Sequence, residues 1–180
     1  NRIQVDTINK TSLETFLVYG NTSSRQRQNF NVYYNKKFNV KNNIRTGVFV
    51  SRFDLNLLDS TYNNKFQRYI TLSDFDGVTF LIRPFIQWQY KFSDRTKLNS
   101  GIYAQHLLLN NSTSIEPRLG FSWDTKPNQT LSIATGLHSQ MMTTEIYFAQ
   151  IETTPGVYVR PNEQLNFTKS AHFIIGYDFN

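Results

Sequence analysis

Residues 78–92, VTFLIRPFIQWQYKF, carry an apolar side chain at every even position: Val78, Phe80, Ile82, Pro84, Ile86, Trp88, Tyr90 and Phe92. The odd positions are mostly polar (Thr79, Arg83, Gln87, Gln89, Lys91), with Leu81 and Phe85 as exceptions. Successive side chains of a strand point to opposite faces. The segment therefore reads as one long strand with an apolar and a polar face, and Pro84, which has no donor for the ladder, predicts a local irregularity on the apolar side.

The same alternation returns along the chain. Phe30, Val32, Tyr34 and Phe38 alternate with Asn31, Tyr33, Asn35 and Lys37. In IRTGVFVSRFDLNLL (44–58), Ile44, Val48 and Val50 begin an apolar face that Arg52 and Asp54 interrupt. Leu98, Ile102, Ala104 and Leu108 form the next face, then Ile115, Leu119, Phe121 and Trp123, then Leu131, Ile133 and Leu137, and finally Phe173, Ile175, Tyr177 and Phe179. No stretch has a convincing helical period. The expected fold is all-β: an antiparallel meander of about seven long strands. Connections at 39–43, 93–97 and 125–129 are short and polar, 110–114 is intermediate, and 58–77 and 143–167 read as long loops.

Dyad alternation over strands of about ten residues, with short turns at one end and longer loops at the other, is the pattern of an outer-membrane barrel. A bilayer core of about 30 Å takes tilted strands of about 9–11 residues, whereas globular strands run about 5–6. The polar faces, built of Gly, Ser, Asn, Gln, Arg and Asp, suit water better than a packed core, because an unpartnered buried polar group costs roughly 1–3 kcal/mol. Phe38, Trp88, Tyr90, Phe92, Trp123, Tyr177 and Phe179 gather at the short-turn ends on the apolar face, where an interfacial aromatic girdle belongs. On this reading Ile82, Ile86, Trp88, Leu119, Phe121, Ile133, Phe173 and Ile175 meet lipid. Arg83, Gln87, Gln89, Arg118, His138 and Asp178 face a wet lumen, and the short turns are periplasmic.

Composition narrows the chemistry. The chain has 180 residues, no cysteine and a net charge of +6, so disulfides, thiolate metal sites and a cysteine nucleophile are excluded. Its mean hydropathy is −0.47, and no apolar run reaches the ~18 residues of a transmembrane helix. No leader pattern stands at its start, and the chain reads as mature or as a fragment. The basic residues form no block, and the aromatics lie on the face opposite the charges, which argues against a nucleic-acid partner.

Three segments go further: IEPRLGFSWDTKPNQTLSIATGLHSQM (115–141), NEQLNFTKSAHFIIGYDF (162–179), and SLETFLVYG with FNVYYNKKFNVKNNIRTGVFVSR nearer the start. Together they resemble the barrel of TonB-dependent outer-membrane receptors, in particular the branch that carries a carboxypeptidase-like regulatory domain before its plug. The resemblance implies a partial receptor barrel over 1–180, in the outer membrane of a Gram-negative bacterium. It implies uptake of a scarce ligand of unknown identity, with energy delivered through TonB. The implied partners are outer-membrane lipid, the remaining barrel and plug, TonB through the full-length receptor, and a surface lipoprotein. Nothing in the chain resembles a plug, a TonB box or the regulatory domain.

No catalytic arrangement or phosphate loop is readable, so the chain is expected not to be an enzyme and to hold no cofactor or metal. His138 and His172 on adjacent strands could approach each other. Asp74 and Asp76 in SDFDG lack the later acidic ligand of a calcium loop and read as a loop tip. If 124 pairs with 130, Glu116 lies opposite His138 and Arg118 opposite Gly136. Arg83, Gln87, Glu116, Arg118, His138 and His172 are thus the lumen-facing candidates, for contact with plug or substrate or as a wall-lining charge network. Tyr147, Phe148, Tyr158 and Arg160 are candidates for ligand or partner binding from the second long loop, or for packing that loop. A smaller outer-membrane barrel, porin or structural, and a soluble antiparallel protein binding a ligand or carbohydrate are the alternatives.

Overall fold

The computed structural model describes residues 2–5 and 12–179; residues 1, 6–11 and 180 of the expected 1–180 segment lie outside them. The elements are β1 (Arg2–Val5), β2 (Ser12–Phe16), β3 (Tyr19–Lys37), β4 (Asn42–Asn63), β5 (Arg68–Ser93), β6 (Thr96–Leu107), β7 (Ser112–Lys126), β8 (Gln129–Gln140), α1 (Thr144–Phe148), β9 (Ile151–Thr154), β10 (Val157–Val159) and β11 (Thr168–Phe179). The chain is all-β, and seven of its strands form one antiparallel sheet in the order β11-β8-β7-β6-β5-β4-β3. Two small hairpins, β1–β2 and β9–β10, stand outside it.

The short connections have local causes. Between β3 and β4, the Asn39 Oδ1 accepts the N–H groups of Lys41 at 2.9 Å and Asn42 at 2.8 Å, the side-chain mimic of a turn. Ser93 Oγ accepts the Arg95 N–H at 3.2 Å beside the tight β5–β6 turn. Register shifts at Lys91/Ser93 and Asp124/Lys126 adjust the strands entering the two tight turns.

Other expectations needed correction. The segment 58–77 is not a loop: β4 runs to Asn63 and β5 starts at Arg68, with Gln67 in the left-handed region at φ 49° closing the turn. Ser73–Gly77, read as a loop tip, lies inside β5. The connection at 110–114 is shorter than expected because β7 begins at Ser112. Pro84 interrupts the β5–β6 ladder without a bulge, since Ile82↔His106 and Phe85↔Tyr103 share one register.

Packing divides the chain into two compact units, one built of residues up to Gln26, Phe53–Val78 and Thr143–Leu165, the other of Arg27–Arg52, Thr79–Met142 and the residues from Asn166 onward. In the second unit the registers carry the alternation across the sheet. Tyr90, Leu98, Phe121, Ile133 and Ile175 pair in one continuous apolar row. Gln87, Gly101, Arg118, Gly136 and His172 form a polar row on the other face.

Beside its buried apolar residues, this unit buries several polar side chains and exposes several apolar ones. Ser51, Ser114 and Glu116 are 0 %, 2 % and 3 % exposed, while Ile133, Ile175 and Phe173 are 40 %, 64 % and 69 % exposed. Ile86, Trp88, Leu119 and Phe121 are exposed as well, and Ile82 is half-buried. On the aromatic-rich ends, Trp88, Tyr90 and Phe92 form a run of ring contacts at 5.6 and 4.8 Å. The Trp88 Nε1–H donates to Asn42 Oδ1 at 3.1 Å.

In the first unit, α1 is a single short helix whose N-cap Thr143 makes no side-chain capping bond. It is held by packing: Tyr147 and Phe148 are fully buried, and Phe148 stacks on Phe75 with centroids 3.7 Å apart. Ala149 bridges to Ser73, and the Gln150 N–H donates to Leu72 O at 2.8 Å. The turn of the β9–β10 hairpin includes Gly156, whose φ of 80° suits glycine.

The hairpin's Glu152 carboxylate accepts the Gly156 N–H at 2.6 Å and the Arg68 guanidinium at 2.5 Å. These two donors, the backbone N–H first, hold its pKa below the ordinary carboxylate value. A depressed carboxylate contributes stability above its unfolded pKa, and that stability is lost as pH falls through the folded one. Amide exchange at Gly156 should therefore be slow at neutral pH and accelerate, beyond its intrinsic pH dependence, only below the ordinary glutamate range. Equal protection of Gly156 at pH 7 and pH 3 would contradict this.

Candidate functional site

The polar face of the second unit gathers most of the chain's convergent chemistry. The β7–β8 pairing sums to 254, as Asp124↔Thr130 and Arg118↔Gly136 show. Gly136 gives this approach room: a Cβ there would make tight contacts, 3.0 Å from Arg118 Cγ and 3.2 Å from Pro117 O. The pairing runs from Lys126↔Gln129 to Arg118↔Gly136, and beyond it the Glu116 carboxylate takes the place of a ladder partner. Its Oε1 accepts the Ser139 N–H at 3.1 Å, the Ser139 hydroxyl at 2.5 Å and Gln105 Nε2 at 2.6 Å. Its Oε2 accepts Arg118 Nη2 at 2.7 Å. The expected Glu116–His138 pair lies in the same register just beyond the end of this ladder, and the Glu116 carboxylate bonds to Ser139, Gln105 and Arg118.

Replacing Glu116 by alanine removes an acceptor from four donors, of which Gln105 Nε2 keeps Ser139 O at 2.7 Å. Unsatisfied buried donors cost about 1–3 kcal/mol. Because Arg118 remains 36 % exposed and can turn to water, we expect a loss of about 2 kcal/mol rather than the larger cost of breaking a fully buried pair. Glu116→Gln, which keeps an acceptor, should lose less. Urea unfolding in detergent micelles measures both, and equal stability of Glu116→Ala and the native chain would refute the hub.

Around this hub lies an aromatic and guanidinium ladder. Phe49 stacks on Phe85 at 5.4 Å and Phe85 on Tyr103 at 5.5 Å. Arg118 sits over the Tyr103 ring at 4.0 Å, Arg83 over Phe49 at 5.8 Å, and Arg45 between Tyr33 at 4.5 Å and Phe85 at 5.9 Å. Arg83 Nη2 and Arg27 Nη2 both donate to Ser51 Oγ at 3.3 Å, and Ser51 Oγ donates to Asn29 Oδ1 at 2.8 Å. Gln87 donates to the Tyr103 hydroxyl. A concavity of about 550 Å³ opens on this face, lined by Arg45, Gln87, Tyr103, Arg118, His138 and His172 among others.

The sequence candidates thus fall together. Arg83, Gln87, Glu116, Arg118, His138 and His172 all lie on this polar face, with Gln89 bonded to Asn99 at 3.1 Å. His138 and His172 meet edge to face, ring centroids 4.7 Å apart, and His172 Nε2 shares a hydrogen bond with Ser170 Oγ at 2.9 Å. Among the described residues no group of three or more metal-ligating side chains forms. Asp178, on the outer strand β11, is exposed, with Thr130 opposite it.

Comparison of the chain with protein-family models, curated proteins and solved structures returns no match.

Of the loop candidates, Tyr147 and Phe148 are fully buried, which favours the packing alternative for those two, while Tyr158 and Arg160 are part-exposed. The Tyr158 hydroxyl accepts the Thr71 N–H at 3.5 Å. Arg160 donates to Asp74 O at 2.6 Å and lies 6.0 Å from the Phe148 ring. Sequence reasoning missed the inward aromatic ladder; the signal was present in Tyr33, Phe49, Phe85 and Tyr103, large rings at polar-face parity.

Proposed function

We propose that this chain is part of a transmembrane β-barrel of the outer membrane, from an active-transport receptor of the TonB-dependent kind. The exposure of apolar side chains beside buried polar ones in the second unit carries this reading. A sheet that buries Glu116, Ser114 and Ser51 while exposing Ile133, Ile175 and Phe173 is built for lipid on one face and water or a polar filling on the other. Strand lengths agree: β5 and β4 have 26 and 22 residues, more than a bilayer requires. On the apolar parity the greasy residues give way to Arg52, Asp54, Asp74 and Asp76, which sets the outer edge of the lipid band near Val50 and Val78. The exposed rings of Trp88, Phe92, Trp123, Tyr177 and Phe179 mark the opposite interface.

The receptor assignment rests on the resemblance of 115–141 and 162–179, together with the density of polar and guanidinium contacts on the inner face, which suits a filled lumen more than an open pore. The wall residues Arg83, Gln87, Glu116, Arg118, His138 and His172 then hold the lumen in shape and meet whatever fills it. Fractionation of cells expressing the full-length protein tests the membrane placement: it should stay with the outer membrane in high salt and require detergent for release, and release by salt alone would refute it. Planar-bilayer recording separates the two barrel readings, since a plugged receptor stays closed and a porin conducts.

A further inference from the structure

The concavity on the polar face of the second unit is lined by a guanidinium whose donors are unspent. Arg45 sits against the rings of Tyr33 at 4.5 Å and Phe85 at 5.9 Å. Among the described residues it makes no hydrogen bond and no ion pair, and it is exposed. A ring contact holds a guanidinium in place and uses none of its N–H groups. Arg118 is held over Tyr103 in the same manner, at 4.0 Å, and gives Nη2 to Glu116 at 2.7 Å.

The lining is one-sided in charge. Arg45, Arg118, His138 and His172 belong to it, and no Asp or Glu does. Gly101, Gly120 and Gly136 contribute no side chain, so the basic groups border open space. Its volume of about 550 Å³ falls within the usual ~300–1,000 Å³ of small-molecule sites. Every lining residue comes from the second unit.

We propose that this concavity binds a small organic dicarboxylate. One carboxylate takes paired N–H donors of Arg45, the fork-to-fork match that guanidinium groups make with carboxylates. The other meets Arg118 and the imidazoles of His138 and His172. A cation would meet like charges here, and a neutral solute would leave the Arg45 charge unanswered. The site belongs to the polar face alone and would stand whether lipid or water covers the other face.

The test is ligand-detected saturation-transfer NMR on the full-length protein in nonionic micelles, with adipate as probe, the uncharged diamide adipamide as comparator and empty micelles subtracted. Adipate should bind saturably and adipamide should not. Arg45→Gln, which removes the charge and the paired donors, should weaken adipate binding by about tenfold or more. No saturable adipate signal, equal binding of adipamide, or full binding by Arg45→Gln overturns the site. If Arg45→Gln does not fold, His172→Gln decides: a weaker signal supports the site and an unchanged one overturns it.

Discussion

Ile133→Arg should destabilise the protein in lipid vesicles by about 2–4 kcal/mol, the cost of a cation on the lipid face near the bilayer midplane. Ile133 sits in the middle of the apolar row, paired with Phe121 on one side and Ile175 on the other, and it is exposed. Ile133 is 40 % exposed, so an arginine there has room to extend away from the sheet. In water, such a surface substitution changes stability by no more than about 0.5 kcal/mol. The size of the effect in lipid therefore reports the solvent of that face rather than the packing of the fold. Gln89→Arg, on the polar face of β5, should cost well under the Ile133→Arg value. Urea unfolding from vesicles compares them, and equal stability of both variants would argue against lipid on the apolar face.

Phe148→Ala should be the most damaging single truncation outside the sheet's second unit, at about 3–5 kcal/mol. The ring is fully buried and stacked on Phe75, and α1 has no side-chain cap to hold it otherwise. The loss should appear locally, because segments open in cooperative units. Amide exchange over 144–160 should rise by at least about 100-fold, each 1.4 kcal/mol being a factor of ten, while β6 to β8 stay protected. Were Phe148 instead a ligand contact, the alanine variant would keep native exchange.

How far the sequence could be read depended on what each face had to meet. Alternation was plain over 78–92 and 115–124 because the outward residues there are continuously apolar. It vanished over 58–77, where two strand ends meet at the turn 64–67, because Asp74 and Asp76 replace apolar residues on that parity while Phe75 stands on the other. A period-2 search sees no apolar stripe where the exposed positions, such as Asp74 and Asp76, are polar. Leu81 and Phe85 looked like exceptions for the converse reason: they are buried on the polar face, where Phe85 joins the ring stack with Phe49 and Tyr103.

The β7–β8 register was legible from the turn at 125–129, so Arg118 and Gly136 were placed opposite each other. The partners of Glu116 were not, because they depend on where the β7–β8 ladder stops, and its neighbours Ser139 and Gln105 carry no charge to betray them. Helix α1 is too short to show a helical period, and only its buried partners explain it.

Site-directed spin labels on the full-length protein in bilayers, at positions 86, 133 and 175 on the apolar face and 87 and 138 on the polar face, read the solvent of each face directly. An apolar face in lipid predicts that labels at 86, 133 and 175 collide with oxygen dissolved in lipid and are shielded from a water-soluble nickel chelate. Labels at 87 and 138 should show the reverse preference. Labels at 86, 133 and 175 that collide freely with the nickel chelate would contradict the membrane reading.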